Sequence, residues 1–295
     1  MKFHRIWIWI LVGALGVPVV AQGDIEPVTR LNISAITLHI DGDTLFVGGT
    51  DKLRIYDISA RANPSFLSEM EFTSGIISIT TVGTVAIVGL ETTSDPNLQI
   101  VDISDLTSPK LLFERRTDQE KKILSVLRSR DRLVYIGLDD QAVMVAELDQ
   151  NNDIKQIIGS FPVDAVITDI RFNGNRAYVS TWYSIYVVDI SDPTNLTQIN
   201  QISTGDANNG LAVDGTLLAC AEGYQGITFY DISNPDDPQK LDTIFIYTDN
   251  ENWKVALREQ YCYVAALYSP SQNIFDPEDL GGLRILDYQN LSKIS

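Results

Sequence analysis

The side chains able to do chemistry in this chain are mostly carboxylates and aromatic rings. A carboxylate recurs at Asp57, Asp102, Glu147, Asp189, Asp231 and Asp287, closing strand-like runs such as I-Y-V-V-D-I-S-D-P (185–193) and I-T-F-Y-D-I-S-N-P (227–235). Six copies suit a turn better than an active site, since an Asp ending a strand before Ser can accept backbone N–H groups and set the reversal. The two histidines are His4 and His39. His4 lies in a leader-like segment, so multi-histidine metal sites are excluded and His39 reads as a scaffold residue in a strand. G-x-S-x-G, the phosphate-binding loop, G-x-G-x-x-G and the Asp-box of sialidases are missing, and no catalytic residue is assigned. Asp149-Gln-Asn-Asn-Asp153 imitates the start of a calcium loop. Ile154 stands where Gly is needed and Ser160 where Glu is needed, so it reads as a polar turn.

The aromatics are more informative. If strands two and three of each repeat join on the same rim as strands four and one, that rim collects Trp182, Tyr183, Tyr224, Trp253 and Tyr268. Beside them would lie Glu222, Asp249, Glu251, Asp276, Glu278 and Asp279. Rings with carboxylates on a concave rim suit a sugar or peptide ligand, and rings packing loops onto the blade tops are the plainer reading. A long insertion, 269–281, adds Phe275 amid acidic and proline residues, either as a lid or partner contact or as a solvated loop. A second set, Asp206, Asn208, Asn209, Asp249, Asn250, Glu251 and Asn252, precedes inner strands and could supply a channel calcium to a hydrolase or lactonase.

These residues are positioned by an internal repeat. The recurrent carboxylates are separated by 45, 45, 42, 42 and 56 residues, and each is preceded by a turn and a β-rich run, as in Gly42-Asp43 before L-F-V-G or Gly174-Asn175 before R-A-Y-V-S. Each unit reads as four short strands; in the fourth they fall near 165–172, 175–181, 184–190 and 197–203. The middle two are apolar on both parities and the last is polar and alternating, as expected of an edge. In the first unit Phe66 shares its face with Ser68, Met70 and Phe72. Units of this length and content match blades of a β-propeller. The fold expected is all-β: a six-bladed β-propeller of four-stranded antiparallel blades over residues 22–295. The segment Val28–Ser34 resembles the outer strand Leu196–Ser203, and we expect it to close the last blade. The motif V-V-D-I-S-D-P (187–193), with I-V-D-I-S at 100–104 and A-Y-V-S or Y-V-A-A one strand earlier, resembles the LVIVD-repeat family of exported β-propellers. Glu147-Leu148-Asp149 and the D-Y-Q ending of the sixth unit depart from it.

Residues 1–21 have the layout of a secretory signal: Lys2, His4 and Arg5, an apolar run from Ile6 to Val20, and Ala21 at the cleavage position. The alternative is an uncleaved membrane anchor. Cleavage would lower the net charge from −17 to −19 and leave nothing else able to insert in a membrane. Such acidity argues against nucleic acid as a partner; the Arg115–Arg132 basic cluster reads as a solvated face. Cys220 and Cys262 read as two buried thiols, because neighbouring sheets lie about 10 Å apart, beyond a disulfide's reach. The expected protein is secreted, periplasmic or cell-surface, monomeric, and a non-enzymatic module offering its aromatic and acidic rim to an extracellular protein or glycan. No cofactor is expected beyond the calcium of the hydrolase alternative, and no metal residues are assigned.

Overall fold

The computed structural model describes residues 35–60, 62–92, 96–116, 124–138, 142–244, 251–258, 260–267 and 283–287. The turn signal read from the sequence is visible in the backbone. Gly42, Gly83, Gly174 and Gly215 have φ between +54 and +56°, and Asp131 takes φ +55° at the equivalent place. Glycine enters this left-handed region without a Cβ penalty, so it reverses the chain between the first two strands of a repeat.

The chain divides into two compact units, residues 1–131 with 150–153, and residues 132–149 with 154–295. In the first unit, β1 (Thr37–Asp41), β2 (Thr44–Gly48), β3 (Lys52–Asp57) and β4 (Ser65–Glu71) form one antiparallel sheet. A second holds β5 (Ile76–Val82), β6 (Val85–Leu90), β7 (Leu98–Asp102) and β8 (Lys110–Arg115), and β9 (Leu124–Arg130) follows. The second unit opens with β10 (Leu133–Leu138), β11 (Ala142–Leu148) and β12 (Ile154–Pro162), giving the sheet order β12-β11-β10-β9. Then come β13 (Ile167–Asn173), β14 (Arg176–Thr181), β15 (Ser184–Asp189) and β16 (Thr197–Ser203). The fifth sheet has β17 (Asn208–Asp214), β18 (Leu217–Glu222), β19 (Gly226–Asp231) and β20 (Gln239–Ile244). Among the described residues the sixth has three strands: β21 (Glu251–Arg258), β22 (Tyr261–Leu267) and β23 (Leu283–Asp287). The fold is therefore the expected six-bladed β-propeller. The segment expected to close the last blade, 28–34, and the signal-like residues 1–21 lie outside the described residues.

Within each unit, apolar middle strands bury against the neighbouring sheet. Phe46, Leu53 and Ile55 pack with Ile76, Val88 and Val101 in the first unit, and Tyr178, Ile185 and Val187 pack with Leu211, Leu218 and Cys220 in the second. The inner strands add a polar link at one repeated position. Ser78 Oγ accepts the N–H of Leu127 at 2.9 Å, and Asp169, its counterpart, accepts the N–H of Leu211 at 3.2 Å. A side chain of one blade thus satisfies an edge N–H of the next, where a bare edge would be left unpaired.

The recurrent Asp is structural. Asp57, Asp102, Asp189 and Asp231 accept the N–H of Ser59, Ser104, Ser191 and Ser233 at 2.8, 2.9, 2.8 and 2.8 Å. These bonds hold all four carboxyls below the usual aspartate range. Unit three, which lacks the motif, ties its turn differently: Arg132 Nε donates to Leu148 O at 3.1 Å.

One edge-strand expectation is corrected. The register shifts between Ile55 and Tyr56, where Leu67 is an extra residue in β4. Alternation is broken there. Ser68 is buried, but Phe66 emerges exposed and meets Tyr56 edge-on at 5.6 Å.

Candidate functional site

In the second unit, the up-and-down strand order places the β14–β15 and β18–β19 turns at the same end as the β16–β17 connector. The first turn carries Trp182 and Tyr183; the second is a single 3-10 turn, Gly223–Gln225, carrying Tyr224. These three rings are 49%, 60% and 54% exposed, while other aromatics of these sheets, such as Tyr178, Tyr186, Phe229 and Tyr230, are buried.

The connector between the turns, residues 204–208, is bonded to both. Thr204 N–H donates to Tyr183 O at 3.0 Å and Asn208 N–H to Trp182 O at 2.8 Å. The fully buried Asn208 side chain adds Nδ2 bonds to Thr181 O at 2.9 Å and Ser184 O at 3.3 Å, and its Oδ1 accepts the Cys220 thiol at 3.2 Å. Towards the other turn, Tyr224 N–H donates to Asp206 Oδ2 at 3.2 Å. Two connector residues, spanning at most about 7 Å, separate the attachments of the two turns. The sequence supports this geometry: Gly223 takes φ +46°, and a Cβ there would lie 3.2 Å from Asp206 Oδ2.

Two more carboxylates serve the same end. Asp164 accepts Thr181 Oγ1–H at 3.1 Å and Ser184 Oγ–H at 3.5 Å, so it braces the turn that carries Trp182 and Tyr183. Glu222 is turned inward, accepting Gly205 N–H at 3.4 Å and Tyr230 O–H at 3.2 Å. Burial, reinforced by Glu222, pushes the Tyr230 phenol far above its ordinary range. Burial likewise raises the Cys220 thiol strongly and moves Cys262 up to about 12; both cysteines are free.

Of the six aromatic residues expected on the rim, Trp182, Tyr183 and Tyr224 are together there. Trp253 is the bulged residue of β21, falling between Asn252 and Lys254 opposite Ala266 and Ala265. Tyr268 and Phe275, with Asp249, Asp276, Glu278 and Asp279, lie outside the described residues. Glu222 is not a rim acid, because it points into the blade. Asp164 was missed, since D-A-V before an apolar strand reads as the strand's own start. Its only local signal is the matching Asp-Ala of Asp206-Ala207 one repeat on.

Two of the described metal-ligand candidates are otherwise engaged, while Asp249 and Asn250 lie outside the described residues. Asn208 uses its amide on backbone and thiol, and Asp206 accepts both Tyr224 N–H and its neighbour Ala207 N–H. Asp149 pairs with Lys155 at 3.1 Å, and Asp153 is bonded by Arg115. Among the described residues no three His, Cys, Asp or Glu side chains converge as a metal cluster would require.

The LVIVD repeat family model matches residues 34–71, 93–117 and 167–204. Repeats and fold together are consistent with the LVIVD family of propeller proteins. No curated protein matches the sequence. Among solved structures, the chain resembles a functionally unknown protein from Desulfotomaculum acetoxidans DSM 771, at 14% identity, TM-score 0.69, 88% of this chain and 91% of that one. It also resembles the computationally designed Ika8 protein, at 15% identity, TM-score 0.63, 86% of this chain and 71% of that one. At such identities the likeness concerns the fold alone.

Proposed function

We propose that this chain of LVIVD repeats is an exported, monomeric, non-enzymatic interaction module that offers the rim carrying Trp182, Tyr183 and Tyr224 to an extracellular protein or glycan. The observation that carries the reading is three exposed rings on turns fixed by the bonded 204–208 connector. Covering their exposed halves would remove about 225–375 Å² of apolar surface, worth about 6–9 kcal/mol before the costs of association. A pre-set platform loses little conformational entropy on binding, which is why rigid aromatics serve as anchors. Export is supported by the basic start, apolar run and Ala21 of residues 1–21; no helix among the described residues is long and apolar enough to cross a membrane.

The test is a selection. Random displayed peptides and a printed oligosaccharide array are probed with the purified chain and with the W182A/Y183A/Y224A variant. Ligands retained by the first and lost by the second are expected. Identical profiles for the two proteins would overturn the reading.

A further inference from the structure

Resting on that reading, we propose that the Trp182–Tyr183–Tyr224 face takes a cationic stretch of a partner protein, an extended segment bearing Arg or Lys. The argument is charge complementarity beside the turns that carry the rings. Asp164, exposed, is bonded to Thr181 and Ser184, the residues flanking Trp182 and Tyr183; Asp206, half-buried, is bonded to the backbone N–H of Tyr224. Each accepts only neutral hydroxyl or backbone N–H donors among the described residues, and neither pairs there with Lys, Arg or His. Among the described residues Glu222 also has only neutral partners, Gly205 N–H and Tyr230 O–H.

The cations of the neighbouring inner strands are directed elsewhere. Arg171 Nη2 and Lys254 Nζ lie 3.0 and 4.0 Å from Asp169. Arg171 also donates to Leu211 O at 2.7 Å, and Lys254 to Asn209 O at 2.7 Å. Among the described residues the rim therefore keeps two carboxylates without a cationic partner, each bonded to a turn that holds exposed aromatic rings. A cation over a ring face is attracted by the ring quadrupole, and a carboxylate within a few ångströms acts in the same sense. Arginine gains most, since its planar guanidinium stacks on a ring while forking to a carboxylate. The net charge of −17 adds long-range attraction for the same kind of partner. A neutral sugar could stack on the rings but would leave both charges unanswered.

The experiment titrates the purified full chain with three fluorescent probes: an octapeptide alternating Arg and Gly, its counterpart with Glu for Arg, and a hexasaccharide of N-acetylglucosamine. Saturable binding of the Arg peptide alone is expected. It should weaken about tenfold in W182A and in Y183A, whose exposed side chains can be removed without unfolding the protein, and several-fold in D164N and D206N. Raising salt should weaken it further, as for any pairing of exposed charges. Arg-peptide binding unchanged in W182A and Y183A would overturn the proposal, by assigning the attraction to the acidic surface at large. Hexasaccharide binding that W182A abolishes, with no Arg-peptide binding, would overturn the cationic partner while leaving the rim as the binding face. Binding of none of the probes at the rim would overturn it as well.

Discussion

Asn208→Ala tests whether the connector holds the aromatic turns. The wild-type amide is fully buried and donates to Thr181 O and Ser184 O while accepting the Cys220 thiol. Alanine deletes both donors, leaves carbonyls short of a partner away from water, and opens a small void. Losing two buried hydrogen bonds with an unsatisfied acceptor should cost about 2–4 kcal/mol. For a chain of this size that corresponds to a fall in melting temperature of about 3–7 °C. Asn208→Asp should be worse, because a carboxylate would face two carbonyl oxygens with nothing to donate. The assay is calorimetric melting combined with acrylamide quenching of tryptophan emission in a W253F background of the 22–295 chain, where the signal reports the freedom of the turn bearing Trp182. As a control, Asn173→Ala removes an exposed bond to Gly215 O and should cost about 1 kcal/mol or less. An N208A melt within about 1 °C of wild type, well below that magnitude, would refute the reasoning.

Other consequences follow from the same geometry. The four D-I-S carboxyls titrate lower in the folded chain than unfolded, because of their serine N–H bonds. The native state therefore binds fewer protons, and its stability is full above the ordinary carboxyl range near about 4 and lost as pH falls through the lowered values. Melting temperatures measured from neutral to acid pH should show this limb, and the D57N/D102N/D189N/D231N variant should flatten it; an equal limb in both would contradict the assignment. Gly223→Ala forces an L residue to φ +46° against Asp206, which should cost about 1–2 kcal/mol and weaken any rim ligand more than it lowers the melt. Cys220 and Cys262, buried with raised pKa values, should resist an aromatic disulfide reagent at pH 8 until denaturant is added. Stoichiometric reaction of the folded chain would show that the blades open more readily than their packing implies.

Much of the fold was legible because the repeat is written twice, once in the terminal Asp and once in the turn before each apolar strand. Both signals are local: a glycine that must take positive φ, and a carboxylate that caps its own turn. The bulges were not legible. One extra residue such as Leu67 leaves the composition of β4 unchanged yet reverses which face Phe66 occupies. At the site, the exposed rings were readable from strand order, since hairpin turns alternate between two ends. What held them was not. Asn208 read as a candidate calcium ligand ahead of an inner strand, and only tertiary placement shows its amide spent on a neighbouring turn. Glu222 looked like a rim acid, whereas its partners Gly205 and Tyr230 draw it inward.

The most direct measurement is a fluorine NMR titration of the chain labelled with 5-fluorotryptophan, with the Trp182 resonance assigned by its loss in W182F. The probes are the Arg–Gly octapeptide and the N-acetylglucosamine hexasaccharide. The account expects a saturable shift of the Trp182 signal with at least one of them, absent in Y183A/Y224A. A Trp182 resonance that stays fixed while either probe binds elsewhere on the chain, or that moves with neither, would contradict the assignment of this rim as the binding face.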